Sequence, residues 1–355
     1  MHTQSKFRLL VVRLGAMGDI LHALPAVTAL RQTHPSWQID WVVEPRWSAL
    51  LSAEGSVTRD SVLQPVVDRL YLVPMKAWGR KPLDRSTRSQ IRTLRSELGE
   101  VRYDAVLDFQ GAVRSAWIAR MAHSKRVIGE ARPRERLASL LFHERVSTQG
   151  SHVIEQDVEL AAVVAGDELQ PVQPWLPMDP AAEAAADRLL GPCQNRAMIL
   201  VNPGAGWGAK RWPVERYAAV AVELIKRGWC VVVNAGPGEE SLAQVIAEET
   251  GGKAILLGGE LSQLIAITRR ISLTIAGDTG PLHLACALGR PVVGIYGPTA
   301  PSRNGPFGTH FKVLRNPDSR RDHTRREAPE AGLLTIEPAD VLEAADELLA
   351  GERSR

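Results

Sequence analysis

Four short stretches of this 355-residue chain carry the residue types that chemistry needs. The first is GDTGPLHLACALGRPVVGIYGPT, residues 277–299, where a β-branched run (ISLTIA, 271–276) enters a glycine-flanked polar corner and a helical pattern opens at Pro281. Free N–H groups and the positive end of a helix dipole make such a corner an anion site. Thr279 adds a hydroxyl beside Gly280, and His283, four residues on, projects from the same helix face. Asp278 cannot help a phosphate by charge, but its carboxylate suits the hydroxyl groups of a sugar. The competing reading is plain capping, with Asp278 or Thr279 at the N-cap and Pro281 in the first turn. The corner sits at the carboxyl end of a strand, where open α/β sheets bind ligands, and that favours a site.

The second stretch, NPGAGWGAKRW at 202–212, also lies between a strand-like run and a helix. Gly204 and Gly206 allow close backbone approach to a ligand, and Lys210 can bring a point charge to phosphate or serve as an ordinary solvated lysine. NAGPGEE at 234–240 follows a further strand; Glu239 suits ribose or sugar hydroxyls, or is a first-turn glutamate favoured by the helix dipole. The fourth, RLGAMGDILHALPAV near the N-terminus, puts Gly15, Gly18 and Asp19 at a strand-to-helix turn. It lacks the third glycine of the dinucleotide fingerprint. Asp19 is either a helix cap or a general base that takes a proton from a hydroxyl.

Basic residues follow: Lys76, Arg80, Lys81, Arg85, Arg88, Arg92 and Arg95, then Arg114, Arg120, Lys125 and Arg126. They form a solvated helix face, or a surface for an anionic acceptor or anionic headgroups. Trp78 within them fits a membrane interface or a core. There is no Asp-x-Asp pair and no metal-ligand spacing of histidines, so neither metal nor cofactor is expected.

The elements that must position these corners alternate strand and helix throughout. Strands are predicted at 7–13, 38–43, 104–109, 197–202, 229–234, 254–257, 271–276 and 291–295. Helices are predicted at 19–32, 111–122, 214–227, 239–250, 261–270, 281–288 and 338–349. Prolines 171, 174, 177 and 180 forbid regular structure and mark an extended connector. The expected fold is α/β with two Rossmann-like domains, 1–172 and 173–355, the last helix packing on either one. With 45% apolar and 23% charged residues and a net charge of +3, the chain reads as globular, with no nucleic-acid partner implied. Three widely spaced cysteines, 193, 230 and 286, read as buried thiols in a reducing compartment, and no apolar run reaches signal-peptide or membrane-spanning length. A cytoplasmic location is expected.

The motifs RLGAMGDILHALPAV, FQGAVRSA, NPGAGWGAKRWP, NAGPGEE and GDTGPLHLACALGRPVVGIYGPT, in that order over nearly the whole chain, resemble the ADP-heptose:lipopolysaccharide heptosyltransferases. WVVEPRWSALL, YDAVLDFQGAVRSA and RERLASLLFHERV look like the branch that adds the first heptose to Kdo-lipid A. The resemblance implies a GT-B fold whose two domains face each other across a cleft, with ADP-L-glycero-D-manno-heptose on the C-terminal domain and Kdo-lipid A on the N-terminal one. It implies an inverting, metal-independent transfer in lipopolysaccharide inner-core synthesis, with Asp19 as base. Lys210 matches the donor-phosphate lysine, Glu239 the ribose-binding glutamate, and Asp278, Thr279, Gly280 and His283 the donor signature, with Gly204 and Gly206 in the donor loop. Gly18, Arg80, Arg114 and Arg120 are the acceptor-side candidates. Where the first-heptose branch carries a threonine pair before the lysine, this chain has Ala205 and Gly206, so diphosphate contacts there fall to backbone N–H groups. A lipid-borne acceptor implies peripheral contact with the cytoplasmic face of the inner membrane. The competing expectations are a sister transferase for the second heptose or another sugar, a nucleotide-sugar epimerase, a non-catalytic sugar- or anion-binding protein and, weakest, a nicotinamide dehydrogenase.

Overall fold

Runs such as RLLVV and CVVV are buried on both faces, which only a parallel sheet covered by helices provides. In the computed structural model, which describes residues 6–193, 196–320 and 326–353, these runs sit centrally in two units, Met1–Pro177 and Met178–Arg355. The division falls within the proline-rich connector. The first unit carries β1 (Arg8–Val12), β2 (Gln38–Val43), β3 (Arg69–Leu72), β4 (Ala105–Asp108), β5 (Val127–Glu130) and β6 (Glu144–Val146). The second carries β7 (Met198–Asn202), β8 (Cys230–Val233), β9 (Ile255–Leu256), β10 (Leu273–Gly277), β11 (Val292–Tyr296) and β12 (Phe311–Arg315). Among the described residues each set forms one six-stranded sheet, in the orders β3-β2-β1-β4-β5-β6 and β12-β11-β10-β7-β8-β9. Every ladder is parallel, and the second order read backwards is the first, so both units are doubly wound in the same way. The strand order reverses between β1 and β4 in one unit and between β7 and β10 in the other, and each reversal opens a crevice at the carboxyl strand ends.

The helices of the first unit are α1 (Met17–Thr33), α2 (Met75–Arg80), α3 (Arg85–Glu100), α4 (Val113–Met121) and α5 (Val153–Ala165). Those of the second are α6 (Pro180–Leu190), α7 (Val214–Lys226), α8 (Glu240–Glu249), α9 (Leu261–Thr268), α10 (Gly280–Ala287), α11 (Pro301–Asn304) and α12 (Pro338–Arg353). Helix α1 packs on α5, and α7 packs on α8. Helix α12, whose docking the sequence left open, lies on α7 and the β10–β12 edge of the second unit, where Val341, Ala344, Ala345 and Leu349 join the core around Trp212.

Strands β3, β5, β6 and β12 were absent from the expected set. They are three to five residues long, and β3, β6 and β12 are half-exposed edge strands, so none presents a continuous apolar run. The cysteine reading also needs correction. Cys193 and Cys230 form a disulfide with Cα atoms 5.7 Å apart, while Cys286 remains a buried thiol. Their separation of 37 residues hides the pairing. The turn after α6 runs beside the start of β8, whose Cys230 N–H donates to the Ala197 carbonyl.

Two switch-point sites

In the second unit the corner after β10 and the loop after β7 meet at the switch point. Asp278 follows Gly277, the last residue of β10, and its buried carboxylate is contacted by the Lys210 ammonium from the loop after β7. His283, one turn into α10, places Nε2 3.2 Å from Asp278 Oδ1. Burial alone would raise the carboxyl's pKa, but the His283 hydrogen bond and the Lys210 charge outweigh it and hold Asp278 well below the usual carboxylate range. Lys210 also lies 4.3 Å over the Trp207 ring, a cation–π contact that orients its stem. Thr279 is the N-cap of α10 but makes no side-chain cap; its hydroxyl donates to the Gly277 carbonyl at 3.2 Å, and Gly280 and Pro281 begin the helix. The capping alternative therefore does not account for Asp278, whose carboxylate contacts Lys210 and His283 and no helix N–H among the described hydrogen bonds.

The glycine loop is clamped by its neighbours. Glu239 accepts from Ala205 N–H at 2.9 Å and from Gly236 N–H at 3.2 Å. A Cβ on Gly204 would lie 1.9 Å from Glu239 Oε2, so the first glycine makes room for this carboxylate. Gly206 has nothing near its missing Cβ, whereas one on Gly208 would meet the Glu327 carbonyl at 1.7 Å. Two asparagines that end β7 and follow β8 complete the clamp: Asn234 Nδ2 donates to Asn202 Oδ1 at 2.6 Å, and Asn202 Nδ2 donates to the Gly204 carbonyl at 3.2 Å. Sequence reasoning passed over both, although each opens a glycine motif at a strand end.

In the first unit Asp19 is the third residue of α1 and not its N-cap, which is Ala16. Its Oδ2 accepts from Ala16 N–H at 2.9 Å, and its Oδ1 pairs with Arg13 at 3.0 Å. The Asp19 side chain keeps 35% of its exposure against 9% for Arg13. Gly18 is half-buried beside it. Arg13 also donates to the Phe109 carbonyl at the end of β4, so it ties the two sides of the switch point together. Gln110 Oε1 accepts from Leu14 N–H at 2.9 Å. Asp108, the last residue of β4, is fully buried; its Oδ1 accepts from Gln110 N–H, Gly111 N–H and Ser115 Oγ, while its Oδ2 has no hydrogen-bond partner. Burial pushes its carboxyl up to about 6, against the pull of the Gly111 and Ser115 hydrogen bonds. Arg13, Asp108 and Gln110 were missed as site residues, though a charge interrupting an apolar strand run is a signal for Arg13.

Arg80, Arg114 and Arg120 are exposed, the first ending α2 and the others on α4. The described partners of Asp19 are Arg13 and Ala16, not these three; Arg120 contacts His143. Trp78 is a core residue, 5% exposed, with its indole N–H donating to Gln90 at 2.7 Å. Among the described residues no group of three or more His, Cys, Asp or Glu is arranged to hold a metal, and no helix is long and apolar enough to cross a membrane.

Residues 91–333 match the family model of glycosyltransferase family 9 (heptosyltransferase). Lipopolysaccharide heptosyltransferase 1 of Escherichia coli K12 is 31% identical over 317 residues, covering 87% of this chain and 94% of that one. Lipooligosaccharide heptosyltransferase 2 of Haemophilus influenzae is 25% identical, with 96% of this chain and 99% of that one covered. The solved structure of E. coli heptosyltransferase WaaC with ADP-2-deoxy-2-fluoro heptose superposes with a TM-score of 0.76 at 26% identity, over 96% of this chain and 99% of that one. Two parallel six-stranded sheets in doubly wound order are the GT-B architecture of these enzymes.

Proposed function

The chain belongs to glycosyltransferase family 9, the heptosyltransferases, and from that premise we propose that it moves heptose from ADP-L-glycero-D-manno-heptose to the Kdo of Kdo-lipid A during lipopolysaccharide inner-core synthesis. The observation that carries the donor half is the buried Lys210–Asp278–His283 cluster at the switch point of the second unit. Lys210, the uncapped first turn of α10 and the N–H groups around Gly206 offer positive potential to a departing diphosphate. The Asp278 and Glu239 carboxylates accept from hydroxyls of heptose and ribose. The relative named heptosyltransferase 1 is 31% identical, against 25% for the type 2 enzyme, which supports the first-heptose reading.

On the acceptor side Asp19 takes the proton of the attacking hydroxyl. The new bond forms between that oxygen and the anomeric carbon as the bond to the diphosphate oxygen breaks, and the anomeric configuration inverts. Arg13, held by the Phe109 carbonyl, keeps the carboxylate in one orientation. Gly18 lets the acceptor approach, and Arg80, Arg114 and Arg120 receive its negative groups. The enzyme then works at the cytoplasmic face of the inner membrane, where a lipid-borne acceptor is presented. The second reading is transfer of a later heptose, favoured by the Ala205–Gly206 loop in place of a threonine pair.

The test is transfer from ADP-heptose to Kdo-lipid A and, separately, to an acceptor already carrying one heptose, by wild type and Asp19→Asn. Turnover with Kdo-lipid A alone supports the first-heptose reading. Turnover only with the heptosylated acceptor supports the second, and donor turnover without acceptor sinks both.

A further inference from the structure

Apart from Arg114 and Arg120, the segment at 111–146 of the first unit does little for the chemistry above, yet its surface is unusual. Helix α4 packs against the short 3₁₀ helix Arg136–Leu141, burying Ala116, Ala119 and Ala138. The pair also turns apolar side chains outward. Leu137 and Leu140 are 67% and 69% exposed and share a face, since residues three apart eclipse in a 3₁₀ helix. Val113 and Trp117, four apart on α4, are 38% and 42% exposed. Arg114 and Arg120 on the same helix and Arg136 at the start of the 3₁₀ helix are exposed, as are Arg132 and Arg134 in the loop just before it and Lys125 in the turn after α4. The segment holds eight Lys and Arg against three Glu. Those three are engaged: Glu135 accepts from Val113 N–H, Glu144 pairs with Arg126, and Glu130 accepts from Thr148 Oγ1. Helix α3, whose outward face carries Arg85, Arg88, Arg92 and Arg95, touches α4 and extends the positive surface.

We propose that this face, with Trp117, Leu137 and Leu140 as its apolar anchors, docks the enzyme on an anionic lipid bilayer. Charge complementarity decides the occupant. Arginines rimming leucines and a tryptophan match a layer of acidic headgroups over acyl chains, where the indole sits at the polar boundary and the leucines insert. A second protein copy would bring the same excess of positive charge against itself. The inference extends the proposed function, because an acceptor borne on lipid requires a face that meets lipid, but the test does not depend on turnover.

Flotation of the full chain with phosphatidylcholine vesicles, with and without phosphatidylglycerol, reads it directly. Wild type is expected to float with the anionic vesicles and not the neutral ones, and 0.5 M salt should release much of it. Leu137→Asp with Leu140→Asp is expected to lower binding about tenfold or more without lowering Tm, since neither side chain is buried. Arg134→Glu with Arg136→Glu, a second variant outside the core, should do the same. Equal flotation with neutral vesicles, no flotation, or wild-type binding by both variants overturns the proposal. So does wild-type self-association that Leu137→Asp with Leu140→Asp abolishes without any vesicle binding. Absence of heptosyl transfer would remove the proposed function and leave the vesicle result standing.

Discussion

The two units use the same strand order and put a buried carboxylate at the same place, the carboxyl end of the strand beside the first one. The surroundings give those carboxylates opposite characters. Asp108, at the end of β4, meets backbone N–H groups and a hydroxyl on one oxygen and nothing on the other, so burial wins and its carboxyl rises to about 6. Asp278, just past β10, meets Lys210 and His283, and these outweigh burial. The charged residue supplied by the turn after the first strand of each unit also differs in sign and exposure. In the first unit it is Asp19, one-third exposed and oriented by Arg13, while in the second it is Lys210, paired with Asp278. The topology fixes where a charge is displayed, and the loop residues fix its sign and whether it is free to exchange a proton.

Removing Asp278 should separate the two sites most sharply. Asp278→Ala leaves the Lys210 ammonium, 12% exposed, without its ion-pair partner, and breaking a buried pair costs about 3–5 kcal/mol. A melt should fall by roughly 10 °C for units of this size, and an unshifted melt would show the cluster is not held as described. Asp19→Asn should do the reverse. Asparagine keeps a side-chain oxygen for Arg13, and a pair whose carboxylate is one-third exposed is worth about 1 kcal/mol or less, so the melt stays nearly unchanged while kcat drops roughly 10²-fold or more. Unaltered turnover would return Asp19 to a structural role.

The pH response tests the contrast next. Asp108 has its folded pKa raised from 3.8 to about 6, so its stabilising contribution is complete below 3.8 and disappears as pH rises through about 6. A rise of that size is worth about 3 kcal/mol, and Asp108→Asn, which cannot ionise, should flatten the stability curve between pH 4 and 7. Asp278 has a depressed pKa, so its contribution is present above the ordinary value of 3.8 and is lost as pH falls further. Unfolding free energies of the two single Asn variants across pH 3 to 8 should therefore diverge in opposite directions, and parallel curves would erase the distinction. The smallest effects belong to the glycine loop. Gly208→Ala must displace the Glu327 carbonyl and should cost about 1–3 kcal/mol. Gly206→Ala meets nothing and should leave the melt alone while raising KM for ADP-heptose. Equal KM in wild type and Gly206→Ala would mean the loop apex does not face the donor.

Much of this was legible in the sequence because it is local. Strand-to-helix corners declare themselves by a β-branched run followed by glycine and a polar residue, which is how Asp19, Lys210 and Asp278 stand out one by one. Partnerships were not legible. Nothing in the spacing says that Lys210, 68 residues before Asp278, would neutralise it, or that Gly204 is a glycine because Glu239 occupies the space a Cβ would take. The tryptophan at 78 was ambiguous because an apolar ring with one donor suits a core and an interface alike, and only the Gln90 partner shows which it is. Edge strands such as β6 escaped because half their side chains face water, so the apolar periodicity that marks a strand is missing.

What the sequence alone determined is the alternation of strand and helix, the position of each corner and the family pattern those corners compose. These rest on propensities and spacings within about fifteen residues, and the chain carries them whatever its neighbours do. What only the tertiary structure decided is which corners adjoin: that parallel pairing of β1 with β4 and of β7 with β10 brings residues some 70 to 100 positions apart within hydrogen-bond reach. Charge state and orphaned oxygens follow from that adjacency, because desolvation and Coulomb energy depend on distance in space and not along the chain.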